Sequence, residues 1–98
     1  MKIVKNKNGN TLDIAIEGRL DTTTAPELEE EIRNSIEGIT ELNFDLEKLD
    51  YISSAGLRVL LSAQKIMNRQ GTMTVRNAGP SIMDIFEVTG FTDILTIK

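Results

Sequence analysis

Apolar residues recur along this chain at two spacings, and the switching between them constrains the fold more than any other feature. Leu12, Ile14 and Ile16 alternate with Asp13, Ala15 and Glu17, the two-residue period of a half-buried strand. Leu28, Ile32 and Ile36 then fall at helical spacing, before Leu42, Phe44 and Leu46 return to alternation against Glu41, Asn43 and Asp45. Leu57, Leu60, Leu61, Ile66 and Met67 mark a second helix, Met73 and Val75 another strand, and Ile82, Ile85 and Phe86 a third helix. Residues 2 to 7 read as a lysine-bearing strand that turns at Asn8-Gly9-Asn10 into the first alternating run. Ile94 to Ile97 complete the pattern as a last strand. The predicted order is β-β-α-β-α-β-α-β. Local signals frame the helices: Thr24 and Glu27 fit a capping box beside Pro26, Ser81 fits an N-cap, and Gly38, Gly71 and Gly90 fit helix stops.

Strands joined through a helix run parallel by right-handed crossover, so their C-terminal ends should share one edge of a mixed sheet. The loops at that edge are Asp21 to Thr24, Leu49 to Ser54, and Asn77 to Pro80. Open α/β sheets bind ligands or partners there, which makes Asp21 and the Ser53-Ser54 pair expected neighbours. Every strand is polar on alternate residues, whereas a sheet covered on both sides would be apolar throughout. The helices should therefore pack on one face.

Ninety-eight residues suit one domain spanning residues 1–98. Fifteen acids against eleven bases leave a net charge of -4, which repels nucleic acid and gives no general attraction to anionic lipid. The chain has neither cysteine nor histidine, so it lacks thiolate chemistry, the usual neutral-pH base and the commonest metal ligand. No apolar run approaches the roughly 20 residues of a membrane span, and the N-terminal lysines are not followed by an apolar leader segment. A cytoplasmic protein without a cofactor is the expectation. A serine hydrolase would need a base that is missing, and Lys48 and Lys65 stand at no telling spacing. Phosphate-cradling glycine motifs are absent, and Glu27, Glu29, Glu30 and Glu31 fit the acidic first turns that a helix dipole favours. Asp45, Glu47 and Asp50 fit a solvated strand face and turn. An enzyme is not expected.

The stretch Tyr51-Ile52-Ser53-Ser54-Ala55-Gly56-Leu57-Arg58 is the unusual one. It opens a helix with two serines and a glycine and carries no Asp or Glu in the first turn. Either Ser53 or Ser54 can serve simply as the N-cap; if Ser53 does, Ser54 enters the first turn beside unpaired N–H groups, where a phosphate of charge about -1.5 to -2 is favourably placed. Arg58, four residues on, lies on the same helical face. Gly56 offers room for another protein's backbone.

The strand and helix order, "GRLDTTTAPELEEEI", "LEKLDYISSAGLRVLL" and the closing "IFEVTGFTDIL" together resemble the STAS domain, in particular the stand-alone bacterial anti-sigma factor antagonists. The resemblance covers nearly the whole chain and implies a single α/β domain with a mixed sheet, its C-terminal helix short or absent. It also implies a function. Such an antagonist, when unphosphorylated, binds an anti-sigma factor that is often a serine kinase, and so frees the sigma factor; phosphorylation ends the binding, and a serine phosphatase can restore it. The matching acceptor is Ser54, with Ser53 where the family usually has aspartate and Ala55 where it usually has a second hydroxyl. The partner surface implied comprises Asp21, Thr22, Thr23, Thr24, Ser53, Ser54, Ala55, Gly56, Leu57 and Arg58. The alternative is a STAS adaptor in a transport or multiprotein assembly that is never phosphorylated.

Overall fold

The computed structural model describes residues 1–98. Strands β1 (Lys2–Asn8) and β2 (Thr11–Leu20) form the expected antiparallel hairpin, turning through Gly9 at φ +62°. Then come α1 (Ala25–Ser35), β3 (Glu41–Asp45), β4 (Leu49–Ile52), α2 (Ser54–Gln70), β5 (Thr72–Arg76), α3 (Pro80–Thr89) and a single 3-10 turn at Phe91–Asp93. The sheet runs β1-β2-β3-β5. Strand β3 lies parallel to the first half of β2, and β4 lies parallel to its last three residues. Strand β5 lies parallel to β3.

Two expected elements differ. The segment Leu49–Ile52, expected as part of a loop, is a strand; its ends are buried and its two middle residues exposed, a pattern with no two-residue period to announce it. It is fixed by β2, where Gly18 at φ +95° accommodates a register shift and its N–H bonds the Lys48 carbonyl at 2.9 Å. The last strand, expected at Ile94 to Ile97, shrinks to one parallel bridge between Ile97 and Val75. The Ile94 and Leu95 N–H groups both turn back to the Phe91 carbonyl, which keeps that segment coiled.

One cluster of 24 buried residues forms the core. Leu12, Ile14, Leu42, Phe44, Met73 and Val75 supply its sheet side, and Leu28 and Ile32 of α1, Leu57 and Leu60 of α2, and Ile82 and Phe86 of α3 close over it. The alternate strand residues carry a polar network on the opposite face: Asn43 donates to Asp13 at 2.9 Å and to Glu41 at 3.0 Å, and accepts from the Thr74 hydroxyl at 2.6 Å. The helices thus occupy one face, as the alternation predicts.

Candidate functional site

Strands β2 and β4 end side by side, and their backbones anchor both segments of the site. The Ser53 N–H bonds the Leu20 carbonyl at 2.9 Å, so the start of α2 is tied to the residue before Asp21. Ser53 has extended backbone, and its Oγ accepts from the Gly56 N–H at 3.4 Å; of the two serines that could cap the helix, it is the N-cap. Ser54 is therefore the first helical residue. Its side chain is exposed, and the first turn contains no acid. A hydroxyl here meets solvent at the positive end of a 17-residue helix.

The neighbouring loop is organised by Asp21. Its Oδ1 accepts from the Thr23 hydroxyl at 2.8 Å, the Thr23 N–H at 3.0 Å and the Thr24 N–H at 3.2 Å. The Thr23 hydroxyl, with the Thr24 and Thr23 N–H groups and the Thr24 hydroxyl behind it, holds the carboxyl below its ordinary 3.8 against partial desolvation. Thr24 does not form the expected capping box: it precedes α1, but its hydroxyl donates to the Arg19 carbonyl at 2.8 Å and accepts from the Asp21 N–H at 2.8 Å. The loop's own turn competes for that hydroxyl and wins. The third helix differs in the same way, with Gly79 at the N-cap and Ser81 already inside.

The structure brings the loop and the helix start together. Thr22 from the loop, Ala25 and Glu29 from α1, and Ala55, Arg58 and Ser62 from α2 line one groove of about 320 Å³. A polar cavity of about 370 Å³ lies along β5 and takes no part in this edge. Two expected surface residues turn inward. Leu57 is 6% exposed and belongs to the core, because the helical face that meets the sheet passes through it. Gly56 is buried, and a Cβ there would stand 2.7 Å from Leu20 Cγ and 2.9 Å from Ile52 Cγ1. Its missing side chain serves the close approach of α2 to the sheet, not that of a partner.

Arg19 lies against the Asp21 loop and Tyr51 against Arg19, without any motif in the sequence to mark them. They pair in register across β2 and β4, one residue before Leu20 and Ile52, and the Arg19 guanidinium carbon lies 4.2 Å from the Tyr51 ring centroid. Their only signal is positional: each stands just ahead of a motif residue, on the strand face opposite two buried neighbours. No group of three or more His, Cys, Asp or Glu side chains is placed to hold a metal ion. No helix is long and apolar enough to cross a membrane. The chemistry available is that of a presented serine hydroxyl on a firmly anchored ledge.

Comparison with known proteins accords with this architecture. The family described as STAS domain matches residues 2–98. The anti-sigma-B factor antagonist of Listeria monocytogenes is 34% identical over 98 residues, covering 97% of this chain and 85% of its own. Among solved structures, an anti-sigma factor antagonist from Mycobacterium paratuberculosis superposes with a TM-score of 0.88 at 21% identity, over 98% of this chain and 83% of the other. The Bacillus cell fate determinant SpoIIAA in its phosphorylated form gives a TM-score of 0.78 at 18% identity, over 99% and 91% of the two chains. At those identities the two structures speak to the fold.

Proposed function

The chain belongs to the STAS domain family, and from that membership we propose that it is an anti-sigma factor antagonist switched by phosphorylation of Ser54. In its unmodified form it binds an anti-sigma factor that is also a serine kinase, and the sigma factor is released. The kinase moves the γ-phosphoryl group of ATP to Ser54 Oγ with ADP as the leaving group, the hydroxyl proton passes to a base of the kinase, and the complex dissociates. The single observation that carries this is the position of Ser54: exposed, first in α2, and relieved of capping duty by Ser53.

The Asp21 to Thr24 loop, Ser53, Ser54, Ala55 and Arg58 make up the docking surface, and Gly56 and Leu57 support it from beneath. A phosphate on Ser54 sets about two negative charges into that surface close to the Asp21 loop, where desolvation and like-charge repulsion oppose docking. The helix start favours the phosphate itself, so the modified domain stays folded. The chain acts as substrate and ligand and performs no catalysis.

Incubation with the cognate kinase and ATP should place one phosphate on Ser54 by mass spectrometry, and none on Ser54→Ala. Paired pull-downs should retain the kinase on wild type and lose it on Ser54→Asp, with equal thermal midpoints for both baits. Label persisting on another serine in Ser54→Ala would reject the assignment. Ala55, standing where the family usually has a hydroxyl, favours a second reading as an unphosphorylated adaptor. In that case the captured partner would be a transport or assembly component, and Ser54→Asp would bind it as well as wild type does.

A further inference from the structure

We propose that Arg19, held against the Tyr51 ring, is a specificity-determining contact that pairs with a carboxylate on the protein partner docking at Ser54. The inference rests on the Ser54 edge being the docking surface and adds to it an anchor and the chemistry of the partner's matching group.

The two side chains are placed by the strands. Arg19 and Tyr51 are directly paired across β2 and β4, while the next pair, Leu20 and Ile52, is buried at 0% and 2% exposure. Alternation therefore sends Arg19 and Tyr51 to the outer face at the ends of the strands that continue into Asp21 and Ser53. With the guanidinium carbon 4.2 Å from the ring centroid, one face of the cation is spent on the aromatic face. The donors at its edge remain. Arg19 Nε keeps a long ion pair with Asp21 Oδ2 at 3.7 Å, too long for a hydrogen bond, and the other oxygen of that carboxylate is taken by Thr23 and Thr24. The Arg19 side chain is 62% exposed. Arg33 and Lys5, by contrast, bond Glu29 at 2.9 Å and Glu31 at 2.6 Å.

The chain's use of aromatics sharpens the point. It contains three Phe and one Tyr; Phe44 and Phe86 are fully buried in the core, and the sole tyrosine is 37% exposed beside the switch serine. Tyrosine and arginine are the residue types that dominate binding energy at protein interfaces. A guanidinium resting on an aromatic face presents a planar fork, which matches the two oxygens of a carboxylate. Neither residue lines the groove between α1 and α2 or the cavity along β5. An open ledge of this kind fits a protein surface and not an enclosed small molecule.

The test titrates the purified kinase that modifies wild type against wild type, Arg19→Ala, Arg19→Lys, Tyr51→Leu and the Arg19→Ala, Tyr51→Leu double variant by calorimetry. Substituting Arg19 removes the long ion pair to Asp21 but keeps the loop's bond from the Thr24 hydroxyl to the residue 19 carbonyl. Arg19→Ala should weaken binding by about tenfold or more, the effect of losing a charge-assisted contact. Tyr51→Leu should weaken it in the same direction, and Arg19→Lys should fall between wild type and Arg19→Ala. The double variant should add little to Arg19→Ala, and thermal midpoints should match wild type. The loss should shrink at high salt. Wild-type binding with Arg19→Ala within twofold of it would overturn this inference and leave the proposed function standing. A wild-type chain that neither binds nor is phosphorylated by any kinase would overturn the function itself.

Discussion

Gly56 sets how closely α2 approaches the sheet, and so sets the height at which Ser54 is presented. The atoms a Cβ would meet, Leu20 Cγ at 2.7 Å and Ile52 Cγ1 at 2.9 Å, belong to two fully packed side chains with no room to retreat. Gly56→Ala should therefore cost about 1–3 kcal/mol as an overpacked core contact, despite alanine's better helix propensity. At Gly71 the obstacle is backbone: a Cβ would stand 1.9 Å from the Thr40 carbonyl oxygen, which also accepts the Thr72 N–H at 2.9 Å. The overlap is deeper and the atoms are main chain, so Gly71→Ala should lower the midpoint of urea unfolding more than Gly56→Ala does. Equal midpoints for wild type and Gly71→Ala would show that the end of α2 can move away from Thr40 at little cost. The helical periodicity around Gly56 is plain in the sequence, yet its role is not, because a glycine inside an apolar face reads the same whether a partner or a strand lies over it.

At the scale of elements, α2 divides its first two serines between two tasks. Ser53 caps through a long 3.4 Å bond and is half-buried, whereas Ser54 is exposed and makes no capping bond. Ser53→Ala should thus destabilise by about 1 kcal/mol or somewhat less, the usual cost of a lost N-cap, and Ser54→Ala should leave the thermal midpoint within error of wild type. The reverse order would exchange the cap and the presented hydroxyl. Residue types alone narrow the cap to one of two adjacent serines with equal cap preference, and the backbone bond from Ser53 to Leu20 decides between them. Strand β4 is not legible: four residues buried only at their ends have no period, and what makes them a strand is their parallel pairing with β2, a contact distant in sequence. The same limit hides the Arg19 and Tyr51 pair, which exists only once β4 does. It also misplaces the final strand, where apolar residues at 94, 95 and 97 suggest extension but the Phe91 carbonyl draws the chain into a turn.

For the whole molecule, the site is coupled to global stability through Asp21. Its carboxylate accepts bonds from Thr23 and Thr24 within the loop that joins β2 to α1. Those bonds, the Thr23 hydroxyl first, hold its folded pKa below the ordinary 3.8. For a depressed carboxyl the sign is fixed: the folded state binds the proton less readily than the unfolded state. The resulting stability is complete above the unfolded value and is lost as pH falls through the folded one. Asp21→Asn keeps an acceptor oxygen in place but removes the charge, so it isolates this contribution. Urea unfolding of wild type and Asp21→Asn should show a constant stability advantage for wild type from neutral pH down towards 3.8, then a gap that narrows below it. The phosphoryl switch operates near neutrality, far above that window, where the loop carries its full negative charge against an incoming phosphate. A gap that stayed constant throughout acid would mean that the threonine bonds position the loop without favouring its charge.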